Sequence, residues 1–174
     1  RIATLVCVVS GKKGKAEEKP YAFKAHPRVL PVLKKHFSAV SLANNHSYDY
    51  GEQTFLETLS LLEKAGLPYL GGGRDIFQAH ELKIFNVKGK KIALLAYNEF
   101  FPRSFEALAD RPGIAWSEDS HVVADIRAAR RAGADVVIPF MHWGWERELL
   151  PTQRQRDLAR LMIDAGADVV VGGH

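Results

Sequence analysis

Three stretches of the chain carry side chains able to bind a divalent cation: Asn45-His46, His142 and His174. Each follows an apolar run. Ala132-Gly-Ala-Asp-Val-Val137 leads through Ile138-Pro-Phe-Met141 to His142, and Ala165-Gly-Ala-Asp-Val-Val170 leads through Val171-Gly-Gly173 to His174. Phe37-Ser-Ala-Val-Ser-Leu42 repeats the logic more loosely, running through Ala43-Asn44 to Asn45 and His46. Imidazole nitrogens and a carboxamide oxygen suit a borderline divalent ion without any thiolate. A single histidine after a strand is ordinarily a satisfied surface or core residue. Three such positions at equivalent strand ends are harder to dismiss.

The elements that must position these residues follow from the apolar pattern. Ile2 to Val9 reads as one short buried strand, and Gly11 to Pro20, rich in Gly, Lys and Glu, as an exposed loop. Arg28 to His36 predicts a short helix with Pro31 in its first turn, and Ala39 to Leu42 a strand. Phe55, Leu56, Leu59 and Leu62 recur at helical spacing within Glu52 to Ala65, and Gly66 is placed to stop that helix. Leu82–Val87 and Ile92–Tyr97 flank Lys88-Gly89-Lys90 as a hairpin. Asn98 to Ile114 reads as irregular. Ser117 and Thr152 are candidate N-caps for helices ending near Ala132 and Ala165, each leading into a strand, Asp135–Met141 and Asp168–Val171. Asp135 and Asp168 are expected to hydrogen-bond locally as strand-entry residues.

Helices alternating with short apolar strands argue for an α/β domain built on a mainly parallel, helix-covered sheet. Parallel strands put their carboxyl ends along one edge, the edge where open α/β sheets bind ligands. Asn45, His142 and His174 can therefore converge, although they lie up to about 130 positions apart.

The chain has 174 residues, enough for one domain with a sizeable core, and its lone cysteine, Cys7, lies among apolar residues as a small hydrophobe would. Lys plus Arg exceed Asp plus Glu by 24 to 20, with Lys12, Lys13, Lys15 and Lys19 grouped in one segment read as a solvated loop. No reader motif or interleaving of basic and aromatic residues points to nucleic acid. No apolar run approaches the roughly 20 residues of a membrane span. Arg1 runs almost directly into a strand and His174 stands where a strand hands over to a loop, so both ends are expected to be internal to a longer chain. The basic helical residues Arg127, Arg130, Arg131, Arg154, Arg156 and Arg160 read as solvated faces.

Ser41-Leu-Ala-Asn-Asn-His-Ser-Tyr-Asp-Tyr-Gly51 closely resembles the signature of the CapA family, named for a protein of poly-γ-glutamate capsule synthesis. So do Leu59 to Gly73 with its Gly71-Gly72-Gly73 run, Met141-His-Trp-Gly-Trp-Glu146, Pro151-Thr-Gln-Arg-Gln155 and Ile163-Asp-Ala-Gly-Ala-Asp168. The resemblance spans nearly the whole chain in the right order. It implies a calcineurin-like metallophosphoesterase fold, two stacked sheets between helical layers, with a site for two divalent ions, manganese, iron or zinc, at their edge. Carried over by position, Asn45 becomes a metal ligand and His46 the acid beside the leaving group, with Asp49 orienting His46. His142 matches the isolated metal-binding histidine. His174 matches the first histidine of the closing Gly-His-x-His motif.

One departure stands out. Related sequences carry Asn-Leu-Glu where this chain has Thr4-Leu5-Val6, so a carboxylate expected near the site is replaced by a hydrocarbon that cannot bind metal. Near His142, Trp143 and Trp145 are open between packing on the sheet edge and facing a polymer. Glu146 is open between supporting His142 and plain exposure, and Glu99 lies on the same edge.

The resemblance implies a metal-dependent hydrolase of capsule or exopolymer metabolism at the bacterial cell envelope. Its substrate would be a polymer or phosphoester, with membrane subunits of a capsule synthase as partners. The alternatives are a non-catalytic accessory of a poly-γ-glutamate synthase and a polymer-binding module.

Overall fold

The computed structural model describes residues 1–12, 14, 16 and 18–174. In chain order the elements are β1 (Ile2–Thr4), β2 (Val8–Val9), β3 (Lys24–Ala25), α1 (Leu30–His36), β4 (Ala39–Ser41), α2 (Gly51–Ala65), β5 (Tyr69–Leu70) and β6 (Gly72–Gly73). There follow α3 (Ile76–Ala79), β7 (Lys83–Val87), β8 (Lys90–Asn98), β9 (Gly113–Ile114), α4 (Asp119–Arg131), β10 (Val136–His142), α5 (Gln153–Ala165) and β11 (Val171–Gly173).

Strand β8 shows how the layers arise. Its side chains alternate as a pleated strand requires. Ala93, Leu95 and Tyr97 point to one side, into a cluster with Val122, Ile126 and Ala129 of α4 and Leu158 and Met162 of α5. Ile92, Leu94 and Ala96 point to the other, where they meet Ala43, Leu70, Ile2, Ile138 and Phe140. A third cluster joins Val40 and Leu42 to Phe55, Leu59 and Leu62 of α2 and Leu30 of α1. The result is helix, sheet, sheet, helix, with a thin apolar seam between the sheets.

One sheet is all parallel, in the order β1-β4-β5. The other runs β11-β10-β8-β7, parallel except for β7, which pairs antiparallel with β8 through the Lys88-Gly89 turn. Both turn residues have positive φ, 50° and 79°, as a tight two-residue hairpin demands. At the seam Gly71 has φ 70°, and a Cβ there would lie 2.6 Å from the Ala43 Cβ and 2.8 Å from the Ala96 carbonyl oxygen. Only glycine fits so close a pass.

Several expected boundaries hold. Gly66 ends α2 in the left-handed conformation, and Thr152 opens α5 with a reciprocal capping box to Gln155. Others move, each for a visible reason. The apolar run Ile2 to Val9 is two strands: the Asn44 side chain donates to the Leu5 carbonyl at 3.0 Å, taking that acceptor out of the ladder, and the chain turns before Val8 and Val9 pair with Lys24 and Ala25. The last strand begins at Val171 instead of Asp168: the Asp168 amide still donates to the Val137 carbonyl at 3.0 Å, but the Val137 amide goes to the Asp168 carboxylate at 2.7 Å and Pro139 has no N–H for a following rung. Ser117 does not cap α4, which starts at Asp119 after Glu118; its hydroxyl donates to the Glu99 carboxylate. The stretch expected to be irregular contains a 3-10 turn at Arg103–Phe105 and strand β9.

Asp135 and Asp168 bind across strands and not locally. Asp135 accepts the Lys91 amide at 2.8 Å, and Asp168 pairs with Arg130 at 2.6 Å. Arg130, expected to be solvated, also donates to the carbonyls of Gly166 and Ala134, tying α4 to the turn after α5. Of the basic loop, Lys13 and Lys15 lie outside the described residues. Among the described residues no helix is long and apolar enough to cross a membrane.

Candidate metal centre

The turn after β4 is shaped by a residue the sequence reading passed over. Asn44 is fully buried; besides holding Leu5, its side-chain oxygen accepts the His46 amide at 2.9 Å. Ser47 adds a hydroxyl bond to the Leu42 carbonyl, and Tyr48 donates to the Pro112 carbonyl at 2.6 Å. A carboxamide beside a second carboxamide in sequence is the one signal that could have marked Asn44 as a loop clamp.

With the turn so fixed, Asn45 reaches across the seam to the other sheet. His142 closes β10 in register between Asn98 of β8 and Gly173 of β11. It is only 5% exposed, and its Nε2 lies 3.0 Å from Asn45 Oδ1. The His174 ring follows at 4.5 Å from the His142 ring, held by its Nδ1–H donating to the Gly144 carbonyl at 2.7 Å. That bond leaves Nε2 of His174 as the nitrogen with a lone pair.

Electrostatics keep His142 neutral. Burial, then the nearby imidazoles of His174 and His46, push it from 6.5 down to about 3. A neutral imidazole is the form that binds metal.

His46 Nδ1 bonds the Asp49 carboxylate at 2.7 Å, and that carboxylate is wholly shut off from solvent. Asp49 therefore fixes the orientation and tautomer of His46 and presents Nε2 as its free nitrogen. The same carboxylate accepts the Phe23 amide at 2.6 Å and pairs with Lys19.

The other candidates fall differently. The carboxylate of Glu99 is taken up by Arg154, at 2.7 Å, and by Ser117; only its backbone amide touches the centre, donating to the His142 carbonyl at 2.9 Å. Arg154, expected to be solvated, also binds Asp119 and the Ser117 carbonyl. Glu146, 74% exposed at its side chain, reaches toward His174 Nε2 at 3.9 Å and not toward His142. Trp143 packs against the core cluster, whereas Trp145 is 62% exposed and sets its ring edge-on to Phe100.

Among the described residues no group of three or more His, Cys, Asp or Glu side chains is arranged to hold an ion. The converging set is two imidazoles and one carboxamide, and its chemistry fits a single divalent cation. Two donors about 2.1 Å from one ion and at a right angle to each other sit about 3 Å apart, which is the separation of Asn45 Oδ1 and His142 Nε2. Asn98, beside His142 on the same face, has a buried Oδ1 with no hydrogen-bond partner among the described residues. A buried acceptor in that state calls for a donor or a cation. Val6, 39% exposed, adds no ligand.

Residues 1–174 match the family described as "Bacterial capsule synthesis protein PGA_cap". The chain is 34% identical to the PGA biosynthesis protein CapA of Bacillus subtilis, over 94% of its own length and 43% of that protein's. It is 31% identical to the capsule biosynthesis protein CapA of Bacillus anthracis, over 92% of the chain and 40% of that relative. A probable polyglutamine synthesis accessory protein of Mycobacterium tuberculosis is 32% identical over 90% of the chain and 44% of the relative. The chain thus spans less than half the length of these relatives.

Its architecture is similar to a putative 5'-nucleotidase from Staphylococcus aureus, with TM-score 0.60 and 17% identity over 85% of this chain and 31% of that one. It is also similar to the NAD nucleotidase of Haemophilus influenzae, with TM-score 0.56 and 19% identity over 85% of this chain and 28% of that one. With its stacked sheets, outer helices and ordered motifs, the chain belongs to the bacterial capsule synthesis PGA_cap family and has the calcineurin-like metallophosphoesterase fold.

Proposed function

We propose that this domain is a metal-dependent phosphoesterase-type hydrolase acting in capsule or exopolymer metabolism. The observation that carries the reading is the 3.0 Å contact between Asn45 Oδ1 and His142 Nε2, made across two sheets, with His174 beside it. In this reading Asn45, His142 and His174 hold one divalent ion, and a second ion rests on the likeness of fold alone. Bound there, a divalent cation supplies Lewis-acid polarisation of a phosphoryl oxygen. In its imidazolium form, with Nδ1–H held by Asp49, His46 delivers the Nε2 proton to the departing oxygen, and Asp49 keeps that ring from turning. Phe100 packs against both His174 and Trp145, and Arg154 takes up the Glu99 carboxylate. The relatives' names, which speak of capsule or PGA biosynthesis and of a polyglutamine synthesis accessory protein, support a role in polymer synthesis; the cell envelope as its place and synthase subunits as its partners are part of the proposal.

Titration calorimetry with Mn²⁺ or Zn²⁺ and hydrolysis of bis(p-nitrophenyl) phosphate test this on wild type, Asn45→Ala and His142→Ala. Both variants should lose ion binding and turnover together while circular dichroism stays unchanged. Equal ion content in all three proteins rejects the assignment.

A second reading, a non-catalytic accessory that keeps the fold, is favoured by Val6 in place of a carboxylate and by the engagement of Asp49 and Glu99 in ion pairs. It expects ion binding without turnover, or neither.

A further inference from the structure

Lys19 stands in the loop whose lysines read as solvated, yet its side chain turns inward. Its ammonium donates to the Asn45 carbonyl at 2.9 Å and forms an ion pair with Asp49. The other oxygen of the Asp49 carboxylate accepts from His46 Nδ1 at 2.7 Å and from the Phe23 amide at 2.6 Å. Phe23 then lays its ring against His46, with centroids 4.5 Å apart. One cation thus grips both the peptide of Asn45 and the carboxylate behind His46. A buried carboxylate stripped of its counterion is strongly unfavourable and relaxes by turning toward any remaining donor or water. Either movement would swing His46, and loss of the bond to the Asn45 carbonyl would free the peptide that aims Asn45 at His142.

We propose that Lys19 is a positioning residue of the metal centre, fixing Asn45 and the His46–Asp49 pair in one mutual orientation. This rests on the reading of the site given above. Lys19 bonds the Asn45 carbonyl and the Asp49 carboxylate and not the converging donor atoms, so its effect is expected on alignment and not on substrate affinity. Arginine preserves the charge and can reach both acceptors; methionine preserves the length and removes both bonds.

Wild type, Lys19→Met and Lys19→Arg are compared by Mn²⁺ calorimetry, by bis(p-nitrophenyl) phosphate hydrolysis at saturating Mn²⁺, and by amide hydrogen exchange. Lys19→Met should weaken Mn²⁺ binding about tenfold and lower kcat by about tenfold or more with KM unchanged. Lys19→Arg should recover most of both. Exchange should quicken over residues 44–49 and stay at the wild-type rate in β8 and β10.

Wild-type Mn²⁺ affinity and exchange in Lys19→Met overturns the proposal. So does exchange that quickens equally in β8 and β10, which marks a general loss of stability. Should wild type itself neither bind Mn²⁺ nor turn over, the reading of the site fails. The exchange arm then decides Lys19 by itself: local loosening of 44–49 upholds its hold on that turn, and none refutes it.

Discussion

Strands β10 and β11 each run on from the same Ala-Gly-Ala-Asp-Val-Val segment, and their two ends have opposite fates. At the entry ends, Asp135 and Asp168 find partners within the chain: a neighbouring amide for each, and Arg130 for Asp168. At the exit ends, His142 and His174 are pressed together with Asn45, and their ring nitrogens are not consumed by ion pairs of comparable strength. Alike as the two copies are in sequence, the acidic ends build the sheet and the imidazole ends are left over for chemistry. Whether a polar residue is structural or functional depends on what the adjacent strand offers it.

The comparison breaks most sharply at His142. Replacing it with alanine should weaken Mn²⁺ binding at least about 100-fold, since a ligand matters more than the groups supporting it; calorimetry reads this directly, and affinity within threefold of wild type would place His142 with the structural residues. Asp168→Ala should do the reverse. It removes a charge-assisted bond to the Val137 amide, so urea denaturation should show a loss of about 1.5–3 kcal/mol with Mn²⁺ affinity nearly unchanged.

Acid should separate the ends further. His142 in the folded protein is depressed from 6.5 to about 3, so below the upper value the unfolded chain binds a proton that the folded chain refuses. Its contribution to stability is therefore complete above 6.5 and is lost as pH falls through that window toward 3. For metal-free protein we expect a decline of about 2 kcal/mol from this group between about pH 7 and pH 5, flattened in His142→Gln; parallel pH curves for the two proteins would contradict it. The smallest effect belongs to Asp135→Ala: its carboxylate is as exposed as that of Asp168, but beside the Lys91 amide it has only the exposed Lys90 for a partner, where Asp168 has Arg130. Its Tm should move by less than about 2 °C despite its place in the same repeat as Asp168, and calorimetric scanning checks the contrast.

Much of this arrangement was readable in the residues. The helical stripe of Phe55, Leu59 and Leu62, the Lys88-Gly89 turn and the Thr152 capping box are local signals, and local physics honoured them. The shared edge of His142 and His174 was readable because parallel strands of one sheet oblige their exits to line up; Asn45 joins them from the other sheet, which strand pattern alone does not give. What escaped depended on partners far along the chain. Nothing near Leu5 announces that Asn44 will take its carbonyl and end β1. Asp168 takes up the Val137 amide that lies opposite it, and Arg154, still exposed, is pinned by Glu99 just past the end of β8. Lys19 is the sharpest case: a lysine among lysines, set apart only by the buried Asp49 that the fold puts within its reach.

The seam between the sheets acts on the centre from a distance. Asn45 hangs from one sheet and His142 from the other, so the gap between their donor atoms inherits the thickness of the layer separating them. Gly71 is wedged at the tightest part of that layer, against Ala43 and Ala96. It works as a spacer gauge: a methyl group there would meet Ala43 and Ala96 and prise the two sheets apart, separating Asn45 from His142. If the proposed centre holds an ion, the size of ion it favours would then depend in part on a residue that coordinates nothing.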